Sequence, residues 1–208
     1  MSNSFTVLTV VPIAYLCGAV PFGKIVGNVY GVDIQQHGSG NIGFANVRRV
    51  LGWPPALVVL VGDVAKGFAA PFAAQAYGLS VHEVMAAGAA AMAGSVFPVW
   101  LRFKGGKGIA AGLGVTLAVN LGLGCLAAAI YLLAAGLLRS SARASLVSAW
   151  GVPLLALVFV PDYALFFGVL AALATWTHRD KLKPLSRTRT FRGSGRQATA
   201  RAAPPAGP

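Results

Sequence analysis

The chain has 208 residues, 56% hydrophobic and only 11% charged, with a mean hydropathy of +0.70. A globule of this size has no interior large enough for so much apolar surface, which excludes a soluble fold, and the 26 glycines and 12 prolines are scattered among Leu, Ala and Val stretches, which excludes collagen and low-complexity disorder. The 17 Lys and Arg against 5 acids, a net charge of +12 at pH 7, cluster at the ends of apolar stretches, so they point to a lipid bilayer as partner and not to nucleic acid. Cys17 and Cys125 lie within apolar runs, so neither a disulfide framework nor a metal site is expected.

A helix crossing about 30 Å of hydrocarbon needs about 20 mostly apolar residues. In chain order, residues 5–27, 54–77 and 84–101 meet this, followed by the shorter 145–160 and 163–177. Residues 109–138 would make one helix of about 45 Å, long for one pass and short for two. Charge placement resolves it, because Lys and Arg near span ends stay in the cytoplasm. The connections 28–53 (Arg48, Arg49), 102–107 (Arg102, Lys104, Lys107) and 139–143 (Arg139, Arg143) are basic, as is the tail, whereas 1–4, 78–81 and 161–162 hold no Lys or Arg. Residues 109–138 must then enter and leave by the same side, with a break near Asn120, Gly122 and Gly124. The expectation is an all-α polytopic membrane bundle of seven transmembrane helices, N-terminus outside and C-terminus cytoplasmic. The first span has no early positive region and carries Lys24 near its inner end, so it reads as a retained helix and not a signal peptide. Residues 1–180 form a single membrane domain in this reading, and the basic, Ala/Pro-rich tail 181–208 a poorly ordered end near anionic headgroups. Nothing in the sequence assigns a homo-oligomer.

All the glycine-rich polar segments fall on the inferred cytoplasmic side. The first is His37-Gly38-Ser39-Gly40-Asn41-Ile42-Gly43, followed by Asn46, Arg48 and Arg49. Glycines let successive N–H groups turn toward one point, and an Arg completes such a phosphate-holding concavity. The second is Phe103-Lys104-Gly105-Gly106-Lys107-Gly108, opening a hydrophobic helix, where two cations meet a helix N-terminus. Neither has the spacing or hydroxyl of a P-loop, so nucleotide hydrolysis is not supported. A single loop of this kind is adequately explained by topology alone. Two of them on one face, joined by one helical hairpin, favour a site for one phosphorylated ligand or two. Asp63 and Lys66, mid-span and three residues apart, share a helical face and read as a buried ion pair, with an ion path as the other reading. Pro21 and Pro98 read as kinks, Ser145 and Ser148 as packing or ligand contacts, and His178-Arg179 as the end of the last span. His82 and Glu83 receive no role.

In order, these segments resemble the bacterial acyl-phosphate:glycerol-3-phosphate acyltransferase family. Its first motif, GSGNxGATNxxR, is matched by Gly38-Ser39-Gly40-Asn41, Gly43, Asn46 and Arg49, its second by Gly94, Phe97-Pro98 and Phe103 through Gly108, and its third by His178-Arg179. Asp63-Val64-Ala65-Lys66-Gly67 and Arg143-Ala144-Ser145-Leu146-Val147-Ser148 resemble two further family segments. The resemblance implies transfer of a fatty acyl group from acyl phosphate to the 1-hydroxyl of glycerol 3-phosphate in the bacterial inner membrane, giving lysophosphatidate, with no metal or nucleotide cofactor. It also implies direct attack, in which Lys104, Ser39 and Arg49 are the catalytic residues. Gly38, Gly40, Asn41, Gly43, Asn46, Gly105, Gly106, Lys107, Ser145, His178 and Arg179 are then substrate-binding. The chain departs from the family pattern at Ala45, Ser95 and Ala111, at Lys181 and Pro184, and about Thr190. Several of these remove hydrogen-bonding side chains, so the alternative is a weak or inactive paralogue, or a transporter, that binds a phosphorylated lipid precursor.

Overall fold

The computed structural model describes residues 4–179, with side chains from Val7 onward; Lys181, Pro184, Thr190 and the basic tail lie outside the described residues. Among the described residues there are nine α-helices: α1 Ser4–Gly18, α2 Phe22–Val29, α3 Phe44–Leu51, α4 Trp53–Ala76, α5 Val81–Val96, α6 Ile109–Val119, α7 Leu121–Leu138, α8 Ser141–Phe159 and α9 Ala164–Thr177. Five stretches are long and apolar enough to cross a membrane, namely Val7–Val29, Trp53–Ala76, Val81–Leu101, Leu121–Leu138 and Ser141–Phe159, and α6 is a shorter apolar helix. Leu8, Val61, Leu132, Leu154 and Leu165 point outward, as side chains facing lipid do. This is an integral membrane protein.

The stretch 109–138 breaks at Asn120. Its extended backbone closes α6, and its side-chain oxygen caps α7 by accepting the Leu123 N–H at 2.9 Å. Gly122 and Gly124 lie inside α7 and do not make the break; Gly124 lets the Leu117 side chain approach the helix. The first span departs from expectation. Pro21 does not merely kink it: α1 stops at Gly18 and α2 begins after Pro21, because a residue preceding proline is driven out of the helical region. Pro98 likewise follows the end of α5, and Val99–Leu101 form a single 3-10 turn. Glu83 is part of the capping box that starts α5, its carboxylate accepting the Ser80 N–H at 2.8 Å.

Two glycine crossings assemble the bundle. Gly18 of α1 lies against the Ala91 carbonyl of α5, and Gly94 of α5 against the Tyr15 carbonyl; Gly67 of α4 lies against the Ala111 carbonyl of α6, and Gly114 against that of Val64. Each glycine meets the carbonyl three residues before its partner's glycine, an approach that any Cβ would block. Ala14 packs with Ala87 and Ala90 one turn earlier, and Gln75 Nε2 donates to the Ala118 carbonyl at 2.8 Å further along, so both pairs run parallel. The pairs point in opposite directions: α1 and α5 end where α4 and α6 begin. Helices α7 to α9 continue antiparallel, held by Ser148 Oγ donating to the Ala127 carbonyl at 2.7 Å and Trp150 Nε1 donating to Thr175 Oγ1 at 3.0 Å. Residues 30–43, 102–108, the α7–α8 turn and the end of α9 therefore gather at one end of the bundle.

The α4–α6 crossing sets a stability prediction. Gly114→Val should destabilise the protein by about 1–3 kcal/mol, the range for an overpacked contact, and lower its melting temperature. Gly136→Val, at a position with nothing within 4 Å, should leave the temperature unchanged in the same lipid.

Candidate active site

The first glycine loop is built outward from two buried side chains. Ile34 is fully buried under it, and Asn46 of α3 is only 2% exposed. The Asn46 side-chain oxygen accepts the Ser39 N–H at 2.7 Å, while its amide donates to the carbonyls of His37 at 3.0 Å and Ile34 at 3.3 Å. A buried amide with this many partners is a scaffold, so Asn46 holds the loop and is not turned to an outside ligand. Gly38 and Gly40 occupy the left-handed region (φ 63° and 71°), and at Gly38 any Cβ would strike the Asn46 side chain. Asn41 accepts the Gly43 N–H at 2.8 Å as α3 begins. Ser39 is left exposed at the crest of the turn.

Asp33 fastens the start of this loop to α2. It receives Lys24 Nζ at 2.6 Å, the Gln35 N–H at 3.1 Å and Gln36 Nε2 at 3.0 Å. The Lys24 hydrogen bond, reinforced by the Gln35 backbone, holds the Asp33 carboxyl below its usual range.

The second loop folds back on the end of α5. Arg102 and Phe103 take left-handed backbone (φ 51° and 62°), and Gly108 (φ 74°) leads into α6. Gly105 N–H donates to the Val96 carbonyl and Gly106 N–H to the Ser95 carbonyl, both at 3.1 Å. This corrects the expectation of a bare N–H nest. Four of the loop N–H groups, at Gly40, Gly43, Gly105 and Gly106, are engaged by the protein itself.

The two loops touch. Gln35 Nε2 donates to the Lys104 carbonyl at 3.2 Å, and a Cβ at Gly106 would lie 3.9 Å from Asn41 Oδ1 and 3.8 Å from Ile42. The end of α9 joins them, with Thr177 Oγ1 donating to the Lys107 carbonyl at 3.2 Å. His178, 3% exposed, donates from Nδ1 to the Ala174 carbonyl at 2.8 Å. Lys104 and Arg49 are exposed. Arg48 stacks on Trp53 at 4.8 Å, and Arg179 on Trp176 at 4.1 Å with a hydrogen bond to the Trp176 carbonyl. Ser145 is buried and donates to the Ser141 carbonyl at 2.8 Å; among the described residues no hydrogen bond joins it to either glycine loop. Of the departing positions, Ala45 is exposed, Ser95 is buried beneath Gly106, and Ala111 is buried at the α4–α6 crossing.

The profile of the glycerol-3-phosphate acyltransferase family matches residues 8–188. The chain belongs to the glycerol-3-phosphate acyltransferase family. The acyltransferase of this name from Thermus thermophilus is 42% identical over 202 residues, covering 91% of this chain and 96% of its own. That of Parasynechococcus marenigrum is 37% identical, covering 86% of each. Among solved structures, the crystal structure of PlsY (YgiH), an integral membrane glycerol 3-phosphate acyltransferase, matches in its glycerol 3-phosphate form with a TM-score of 0.80. The two are 31% identical, over 84% of this chain and 89% of that one. Its lysophosphatidic acid form matches with a TM-score of 0.79.

In this acyltransferase-family bundle the fastening residues Lys24, Asp33 and Gln35 escaped sequence reasoning. No local pattern marks them, because Lys24 meets Asp33 only after the chain breaks at Pro21, and Gln35 meets Lys104 only after the bundle forms. His178 yields a pH prediction. Burial lowers its pKa below 6.5 and nearby Lys107 adds to the shift, against the Ala174 hydrogen bond. The folded state thus binds fewer protons than the unfolded state as pH falls below 6.5, and stability contributed by neutral His178 is lost there. Melting temperature should fall with pH through that window, and His178→Gln should flatten the fall.

Proposed function

We propose that this glycerol-3-phosphate acyltransferase takes its acyl group from an acyl phosphate and delivers it to the 1-hydroxyl of glycerol 3-phosphate, on the face where its two glycine loops meet. The observation that carries the reading is the contact between those loops. The Gln35–Lys104 hydrogen bond and the approach of Asn41 to Gly106 join the loops that carry Ser39 and Lys104, which supports a common face for Ser39, Arg49 and Lys104.

In this reading Ser39 and Arg49, on the frame of Gly38, Gly40, Asn41, Gly43 and Asn46, hold one phosphate. Lys104 and Lys107, on Gly105 and Gly106, hold the other, with Ser145, His178 and Arg179 nearby. The glycerol hydroxyl oxygen attacks the acyl carbon and the carbonyl becomes a tetrahedral oxyanion. The carbon–oxygen bond to phosphate then breaks, and the hydroxyl proton passes to a substrate phosphate. The products are lysophosphatidate and inorganic phosphate. The Lys104 ammonium and Arg49 guanidinium offset charge where it develops, on the oxyanion and the departing phosphate. No covalent acyl-enzyme is needed, and no cofactor enters the reaction.

Residues 1–180 act as one domain with seven membrane passes in this proposal, the N-terminus outside and the loop end in the cytoplasm at the bacterial inner membrane. Support comes from charge: Arg48, Arg49, Arg102, Lys104, Lys107, Arg139, Arg143 and Arg179 all belong to the loop end, while the turns at 77–80 and 160–163 hold no Lys or Arg. The transport reading is not favoured, since Lys66 pairs with Asp63 and binds a backbone carbonyl.

Purified protein in lipid, given acyl phosphate and glycerol 3-phosphate, should release inorganic phosphate. Lys104→Ala should lower that rate by about 100-fold or more, the scale for removing one charge-stabilising donor. Rates equal to the protein-free control would remove the proposal.

A further inference from the structure

The reaction as written does not use the buried pair Asp63 and Lys66. Lys66 Nζ lies 2.8 Å from Asp63 Oδ1, and their side chains are 4% and 13% exposed. Neutralising Asp63 is not all that Lys66 does. Its ammonium also donates to the Val20 carbonyl at 2.8 Å. Val20 lies at the interruption between α1 and α2, where the backbone has left the helix and, among the described residues, the other donor to this carbonyl is the Phe22 N–H in a tight turn at 3.2 Å. A carbonyl so placed beside hydrocarbon needs a protein partner. Other residues on this side of α4 and α1 meet at the same interruption: the Phe22 ring lies on Gly62, and Cys17 Sγ reaches the Lys66 carbonyl at 3.8 Å.

What lies beyond the interruption is the phosphate-loop support. Helix α2 starts at Phe22; Gly23 is pressed against the Ile42 carbonyl inside the first glycine loop; and Lys24 holds Asp33 at the start of that loop. Ile42 and its neighbour Asn41 face Gly106 of the second loop. From a membrane-buried ammonium to the loop contact there is thus a continuous series of packed groups.

We infer that Lys66 is a positioning residue for acyl transfer: by capping Val20 it fixes where α2 lies, and through α2 the placement of the first glycine loop against the second. Asp63, with Oδ1 2.8 Å from Nζ, keeps that ammonium aimed. The inference rests on the proposed site, so its test carries a readout that does not need activity.

The variant Asp63→Asn/Lys66→Met removes both charges and leaves no unpaired ion in the membrane, whereas Lys66→Arg keeps a cation in reach of both partners. In nanodiscs, the double variant should raise the KM for glycerol 3-phosphate by about tenfold, on the scale of a loop misplaced by under 1 Å, with kcat changing less. Lys66→Arg should recover most of the loss. Hydrogen–deuterium exchange should rise over residues 38–43 in the double variant and stay constant over Leu121–Leu138. Wild-type KM and wild-type exchange in the double variant would overturn the inference, as would a rise in exchange over the whole bundle. Should the double variant not assemble, Asp63→Asn decides: with the ammonium no longer aimed by its carboxylate, exchange over residues 38–43 must rise while Leu121–Leu138 stays constant, and wild-type exchange over residues 38–43 would overturn the inference. A wild-type protein that releases no phosphate would count against the proposed reaction alone, with the exchange measurement still judging Lys66.

Discussion

Backbone that leaves the helix must find other partners for its N–H and C=O groups, and this constraint shapes the loop end of the bundle. At the α1–α2 interruption the Val20 carbonyl is answered by Lys66 from another helix. In the first glycine loop Asn46 binds one N–H and two carbonyls, and in the second the carbonyls of Ser95 and Val96 receive the glycine N–H groups. Each solution fixes position as well as satisfying a polar group. The loops are thus held by hydrogen bonds within the protein, an arrangement that suits the proposed opposition to developing charge. Glycine serves here as a means of folding the backbone onto itself, and in the proposed site anion binding then falls to Ser39, Arg49 and Lys104.

Electrostatics follow the same division. The ion pairs among the described residues are Lys24–Asp33 and Lys66–Asp63, both in supporting positions behind the loops. Arg48 and Arg179 are held by the faces of Trp53 and Trp176, so they are oriented without a carboxylate that would cancel their charge. Asp33, Asp63 and Glu83 thus stabilise the frame, and the proposed site draws on the cations at the loop end.

Much of this was legible in the sequence. Apolar length located the long spans, since a run of about 20 residues is a requirement of bilayer thickness, and the parity of basic connections called for a division of residues 109–138 near Asn120, Gly122 and Gly124, which falls at Asn120. The ordered glycine motifs located both loops. What was not legible depends on partners distant in sequence. Pro21 looks like a tolerated kink because nothing near it shows that Lys66 will cap the carbonyl before it. Asn46 looks like a ligand because its burial depends on Ile34 and on the packing of α3. The glycine N–H groups look available because their acceptors, Ser95 and Val96, belong to the preceding helix, whose end is displaced from the expected span.

The glycine crossings carry a consequence for how the chain is made. Gly18 must meet Gly94, 76 residues later in the chain, which at a synthesis rate of about 5–20 residues per second is a delay of roughly 4–15 s. For that interval the grooved face of α1 lies against lipid while α2, α3 and α4 emerge. The loop end of the bundle is consequently assembled late, when α5 slides in parallel to the first helix and carries the second loop to the first.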